Sequence, residues 1–91
     1  MFVLITYDIE KDRPRTRLAK ALKNFGPRVQ KSVFEADVGE EELVRLQDVL
    51  GKVELQKEDS IRLYVLCASC SGKIKIWGKG DVTRDEDYYI A

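Results

Sequence analysis

Residues Met1–Ile9 contain the run Phe2-Val3-Leu4-Ile5-Thr6-Tyr7, apolar, aromatic or β-branched throughout, and the run ends at Asp8. A strand with apolar residues on both sides belongs in the middle of a sheet, covered on at least one face. The cover has to come from the rest of a chain of only 91 residues. That length allows a single domain spanning residues 1–91. A domain this small buries roughly 60–65% of its unfolded surface, so its core is thin and dimerisation is a natural supplement.

The cover comes from two helical stripes. After Asp8 the chain turns polar, and Asp12 and Pro14 mark a helix start, Asp12 as N-cap and Pro14 close to the first helical position. Leu18, Ala21, Leu22 and Phe25 then fall on one face, and Gly26-Pro27 stops the helix. Glu40, Glu41 and Glu42 load the first turn of a second helix with charge that suits its dipole. Its inner stripe is Leu43, Leu46, Gln47 and Leu50, and Gly51 ends it.

Between the helices, residues 28–38 read as extended, without a turn signal. They form two short strands or one bent strand. Residues Ser60–Ala68 form a second buried strand, Lys73–Gly78 an edge strand with Ile74, Ile76 and Trp77 among lysines, and Asp87–Ala91 a further short strand. This order predicts an α+β, ferredoxin-like sandwich with both helices on one face of an antiparallel sheet and an extra C-terminal strand.

Composition narrows the chemistry. The chain has no histidine, which excludes Ser-His-Asp triads, Cys-His dyads and histidine-ligated zinc. Proton chemistry then falls to carboxylates, tyrosine, lysine or a metal-bound water. No apolar run approaches about 18 residues, so no membrane span is expected. The first nine residues lack the features of a signal peptide, and a cytoplasmic location is expected. The formal net charge is zero, yet residues 1–32 hold eight Lys and Arg against three Asp and Glu. That third carries +5 and the remainder −5, so a polyanion can bind to a local surface.

Asp8 ends a buried strand, where an open sheet presents residues to ligands. Its carboxylate suits a hard cation such as Mg²⁺. It equally suits a turn, where Asp hydrogen-bonds the following backbone. One carboxylate is a poor metal site, and a two-fold axis beside Asp8 would supply the second. At 100° per residue, Arg15 and Arg17 lie about 160° apart on the first helix, flanking its buried stripe. Arg13 and Lys20 continue the Arg17 side. Cations at a helix N-terminus oppose its dipole, and phosphate binding would explain them. A solvated basic face explains them as well.

Phe34, within the middle extended stretch, fits the core better than a platform for bases. Trp77 best covers a sheet edge. Cys67-x-x-Cys70 is half of a structural zinc site, and no helix follows it as a thiol redox motif requires. Two small residues at the end of a strand describe it better.

Taken together, several motifs resemble the CRISPR-associated Cas-two family across nearly the whole chain. They are Tyr7-Asp8-Ile9 after the apolar strand, Arg15-x-Arg17 at the helix start, Arg28-Val29-Gln30-x-Ser32-Val33-Phe34-Glu35, and Asp59-Ser60-Ile61-Arg62-Leu63-Tyr64. The resemblance implies a ferredoxin-like homodimer in which the last strands of one subunit extend the sheet of the other. It implies one Mg²⁺ shared by the two Asp8 carboxylates. It ties activity to Tyr7, Asp8, Arg15, Arg17, Arg28 and Phe34, with Tyr7 and Asp8 at the reacting centre and the others on nucleic acid. Cys67 and Cys70 belong to no pattern of that family.

Two functions follow as expectations. One is a Mg²⁺-dependent endonuclease acting on RNA or double-stranded DNA. The other is a non-catalytic DNA-binding bridge in the complex with the Cas-one integrase, which inserts spacers into CRISPR arrays. A thiol redox protein resting on Cys67 and Cys70 is a third class, and loss of function on replacing both with Ser would support it.

Overall fold

The computed structural model describes residues 1–67 and 70–79. The elements are β1 (Phe2–Asp8), α1 (Asp12–Leu22), β2 (Arg28–Gln30), β3 (Val33–Asp37), α2 (Glu40–Gly51), β4 (Ser60–Cys67) and β5 (Cys70–Gly78). The sheet order is β2-β3-β1-β4-β5, and every neighbouring pair is antiparallel. The first four strands therefore have the ferredoxin-like order, with β5 added beside β4. The expected strand at Asp87–Ala91 lies outside the described residues.

The apolar run at the start does become the central strand, between β3 and β4. Its alternation decides the layers. Val3, Ile5 and Tyr7 are buried, while Phe2, Leu4, Thr6 and Asp8 point to the other face. On the buried face they meet Phe34 and Ala36 of β3, and Ile61 and Leu63 of β4. Leu18, Ala19 and Leu22 of α1 and Leu46 and Leu50 of α2 join the same cluster, so both helices cover that face. Trp77 packs against its margin, as an edge-covering residue should.

The opposite face carries no helix among the described residues. There Phe2 lies across from Leu66, and Leu4 from Tyr64. Phe2 and Leu66 are each 41% exposed.

Several local expectations change. The extended stretch 28–38 is two short strands joined at Lys31-Ser32, with a register shift between Arg28 and Gln30. Lys11, not Asp12, is the N-cap of α1, and it makes no side-chain cap. Asp12 is instead the first helical residue and pairs with Arg15. The buried stripe of α1 runs through Ala19, with Ala21 only half-buried. The helix ends at Leu22, and a turn leads on to Gly26. Gly26 is required by close approach rather than by a left-handed cap: a Cβ there would stand 1.9 Å from the Glu35 carbonyl oxygen. At the start of α2, the Glu42 side chain accepts the Gly39 N–H at 3.1 Å, closing an otherwise unpaired donor.

Cys67 ends β4, Cys70 begins β5, and the two are register partners. The backbone thus places the pair at a strand-to-strand connection, where no helix follows.

Candidate nucleic-acid interface

The C-terminal end of β1, the body of α1 and the β2–β3 hairpin enclose a cleft of about 600 Å³. Tyr7, Asp8, Arg15, Arg28 and Ser32 border it, together with Thr16, Lys20, Lys23 and Lys31. Five cations therefore surround one carboxylate. The helix supplies its share by spacing: Thr16, Lys20 and Lys23 stand at i, i+4 and i+7, on one face. That face belongs to the Arg15 side of α1, so Lys20 joins Arg15 rather than Arg17. The spacing was present in the sequence and would have identified Lys20 and Lys23.

Arg13 and Arg17 line a second groove of about 480 Å³ on the other flank of α1, against Val49, Lys52 and Val53. The expected angular separation of Arg15 and Arg17 thus has a consequence: the two arginines serve different grooves. The structure gathers Tyr7, Asp8, Arg15 and Arg28 into one place and leaves Arg17 out of it.

Phe34 is 1% exposed and belongs to the core. Its ring stacks near Tyr7, with centroids 6.3 Å apart and planes 26° from parallel. The Arg28 guanidinium lies over it, 5.4 Å from the centroid. Phe34 therefore supports the wall of the cleft and offers no open ring to a base. Tyr7 is itself only 6% exposed. Strand alternation sends its ring to the helix side and Asp8 to the open face.

Arg15 is also committed. Its Nη1 donates to the carbonyl oxygens of Ile9 and Glu10, both at 3.1 Å, and its Nη2 pairs with Asp12. The guanidinium thus holds the loop that follows Asp8. Asp59 holds the same loop from the opposite side; in the sequence it stands only as the first residue of the motif Asp59-Ser60-Ile61-Arg62-Leu63-Tyr64, with no role of its own. It is 2% exposed. Its Oδ1 accepts the Glu10 N–H at 3.1 Å and its Oδ2 the Gln56 N–H at 2.9 Å. An Asp between Glu58 and Ser60 looks like an ordinary loop carboxylate, so no signal in the sequence marks its burial.

Asp8 is exposed on the open face, level with Ser60 of β4. Among the described residues, no three Cys, Asp or Glu side chains are grouped to hold a metal ion. Among the described residues, Asp8 is the carboxylate that borders the cleft. That donor set fits an ion shared between two copies and does not fit one held by a single protomer. No helix among the described residues is long and apolar enough to cross a membrane.

The family model described as CRISPR associated protein Cas2 matches residues 1–74. CRISPR-associated endoribonuclease Cas2 1 of Chloroflexus aurantiacus is 41% identical over 92 residues, covering 99% of both chains. CRISPR-associated endoribonuclease Cas2 of Thermus thermophilus is 38% identical over 87 residues, covering 96% of this chain and 93% of the other. The crystal structure of Streptococcus pyogenes Cas2 superimposes with a TM-score of 0.66 at 38% identity, over 74% of this chain and 87% of that one.

Proposed function

The chain belongs to the Cas2 family of CRISPR-associated proteins, and from that premise we propose that it is a homodimeric, Mg²⁺-dependent endonuclease. One observation carries the proposal. Asp8 borders the cationic cleft and also shares the open face with Phe2, Leu4 and Leu66. That face mixes Phe2, Leu4, Tyr64 and Leu66 with Thr6, Glu35 and Arg62, and the two-layer domain leaves it open to a further layer. A second copy laid on that face across a two-fold axis would bury Phe2 and Leu66 and bring the partner subunit's Asp8 toward the first.

The chain's own residues then have separate tasks. Arg28 pairs with backbone phosphates in a bidentate way, and Lys20, Lys23 and Lys31 add point charges along the same path. The two Asp8 carboxylates would hold Mg²⁺. Bound there, the ion would supply charge stabilisation at the scissile phosphate and a water of lowered pKa, a nucleophile that needs no histidine. Tyr7 supports this end of β1 from the helix side, through its packing on Phe34.

The relatives from Chloroflexus and Thermus carry the name endoribonuclease, which favours RNA as the first substrate to assay. The test is Mg²⁺-dependent cleavage of RNA and of duplex DNA by the wild type beside Asp8→Asn. Loss of cleavage in the variant, with the dimer intact, supports the proposal. Equal cleavage by both removes it.

A second reading is favoured by a specific observation: among the described residues, Asp8 is the one carboxylate bordering the cleft. In it the protein is a non-catalytic DNA-binding bridge beside the Cas1 integrase. The cleft then binds the duplex backbone and Asp8 has no chemical task. Spacer integration that survives Asp8→Asn marks this outcome.

A further inference from the structure

We propose that Arg15 and Asp59 are positioning residues that grip the loop after Asp8 from two sides and so set the direction in which its carboxylate is presented. The inference rests on the reading of Asp8 as the functional carboxylate.

Asp8 is exposed, so its direction depends on its backbone. Before it, that backbone is held by two ladders, to β3 and to β4. After it, the chain leaves the sheet, and residues 9–11 carry no regular structure before α1 starts at Asp12. Arg15 reaches back from α1 to the carbonyls of Ile9 and Glu10. Asp59 reaches across from the start of β4 to the N–H of Glu10. Glu10 is thus held at its N–H by one side chain and at its carbonyl by the other.

Both grips are charge-assisted, and charged hydrogen bonds are the stronger kind. Asp59 is nearly fully buried and its carboxylate serves two backbone N–H groups. A buried carboxylate is costly unless it is bonded in this way. Its own position is braced by the Gln56–Asp59 turn, in which Asp59 N–H donates to the Gln56 carbonyl at 3.1 Å. The edge strand adds to the brace, because Lys79 N–H donates to the Asp59 carbonyl at 2.8 Å. Arg15 spends both terminal nitrogens on the chain itself, which leaves it a poor phosphate ligand. The phosphate contacts pass to Arg28 and the lysines.

The experiment compares Arg15→Ala and Asp59→Asn with the wild type by amide hydrogen exchange, by binding to a duplex DNA of fixed length across a salt series, and by Mg²⁺-dependent cleavage. Asn retains one carbonyl oxygen and cannot accept both N–H groups. Arg15 is partly exposed, so its variant keeps the test usable if Asp59→Asn does not fold. Protection at Ile5 and Leu63, in the centre of the sheet, reports folding.

The Glu10 amide is expected to exchange about ten- to a hundredfold faster in both variants: in Asp59→Asn its acceptor changes from a carboxylate to a neutral amide, and in Arg15→Ala the loop carbonyls lose their donor and the loop opens more often. The salt slope of binding should match the wild type in both. Cleavage should lose kcat with KM unchanged. A fall of about 0.9 in the salt slope for Arg15→Ala, with Glu10 still protected, makes Arg15 a phosphate ligand and overturns the proposal. Unchanged Glu10 exchange in folded Asp59→Asn overturns it as well. If the wild type does not cleave, the endonuclease reading fails by itself, and exchange and salt slope still decide whether the loop is gripped.

Discussion

The guanidinium of Arg28 lies 5.4 Å from the centroid of the Phe34 ring, and that ring is 1% exposed. The two residues are register partners across β2 and β3, so the strand pairing itself puts the cation over the ring. A buried aromatic under an exposed arginine links the core to the cleft. Through it, a change at Phe34 can reach the cleft by way of Arg28.

The first prediction separates those two roles. Phe34→Ala should cost about 3–5 kcal/mol of stability, read from urea denaturation, because it empties a filled core position. Phe34→Leu retains most of the volume and removes the ring face beneath Arg28. It should fold and lose no more than about 0.5–1 kcal/mol in duplex binding, the worth of an exposed cation–π contact. A folded Phe34→Leu protein that does not bind at all would show direct contact between the ring and the ligand.

Phosphate contacts in the cleft can be counted. Arg28→Ala, Lys20→Ala and Lys23→Ala should each lower the slope of log affinity against log salt by about 0.9 on duplex DNA. Arg17→Ala, in the second groove, should leave the slope as it is. A slope that responds to Arg17 and not to Lys20 would move the nucleic-acid path to the other flank of α1.

Much of this arrangement was legible from residue pattern. Apolar residues on both sides of the run before Asp8 identified the central strand, and the leucine stripes identified which faces of the helices are covered. The end of β1 identified Asp8. What escaped has physical reasons. The turn at Lys31-Ser32 uses neither Gly nor Pro, so two short strands looked like one stretch. Asp12 resembled an N-cap, yet the carboxylate is drawn into the helix by Arg15 instead. Gly26 resembled a helix stop, although its purpose is room beside Glu35. Helix geometry separated Arg15 from Arg17 correctly. It could not reveal that Arg15 bonds its own chain, because the backbone carbonyls it reaches carry no mark in a sequence. The role of Asp59 was invisible for the same reason.

The open face predicts its own partner. Phe2 and Leu66 lie opposite each other there, each 41% exposed. Wild-type protein should sediment as a dimer. Phe2→Asp places like charges in an interface that a two-fold axis repeats, and should shift the species to monomer with helix content unchanged by circular dichroism. A variant that remains dimeric would locate the interface elsewhere.

Among the described residues, Gly78 is the glycine whose backbone most restricts substitution. Its φ is +98°, and a Cβ would stand 2.1 Å from the Asp59 carbonyl oxygen. Gly78→Ala therefore combines a strained conformation with a main-chain clash, and the end of β5 must move away from Asp59. The expected loss is about 1–3 kcal/mol, measured by thermal or urea unfolding. Because Lys79 N–H bonds the same carbonyl, amide exchange at Lys79 should quicken at the same time. Unchanged stability would mean that β5 shifts freely, and that the brace on Asp59 is weaker than the contacts imply.

Asp8→Asn decides between catalysis and bridging. The substitution keeps the size of the side chain and removes its charge, at an exposed position outside the core. Stability and dimerisation should both be retained, since surface changes of this kind usually alter stability by under about 0.5 kcal/mol. Binding to duplex DNA should strengthen slightly, because the only carboxylate among the described residues that borders the cationic cleft becomes neutral. Cleavage should vanish at every Mg²⁺ concentration, and chelation should abolish it in the wild type. Intact cleavage in Asp8→Asn would assign the hydrolysis to another site or to a contaminant. Absent cleavage in both proteins, with binding and spacer integration preserved in the variant, would leave the protein as a DNA-binding bridge whose Asp8 serves the turn after β1.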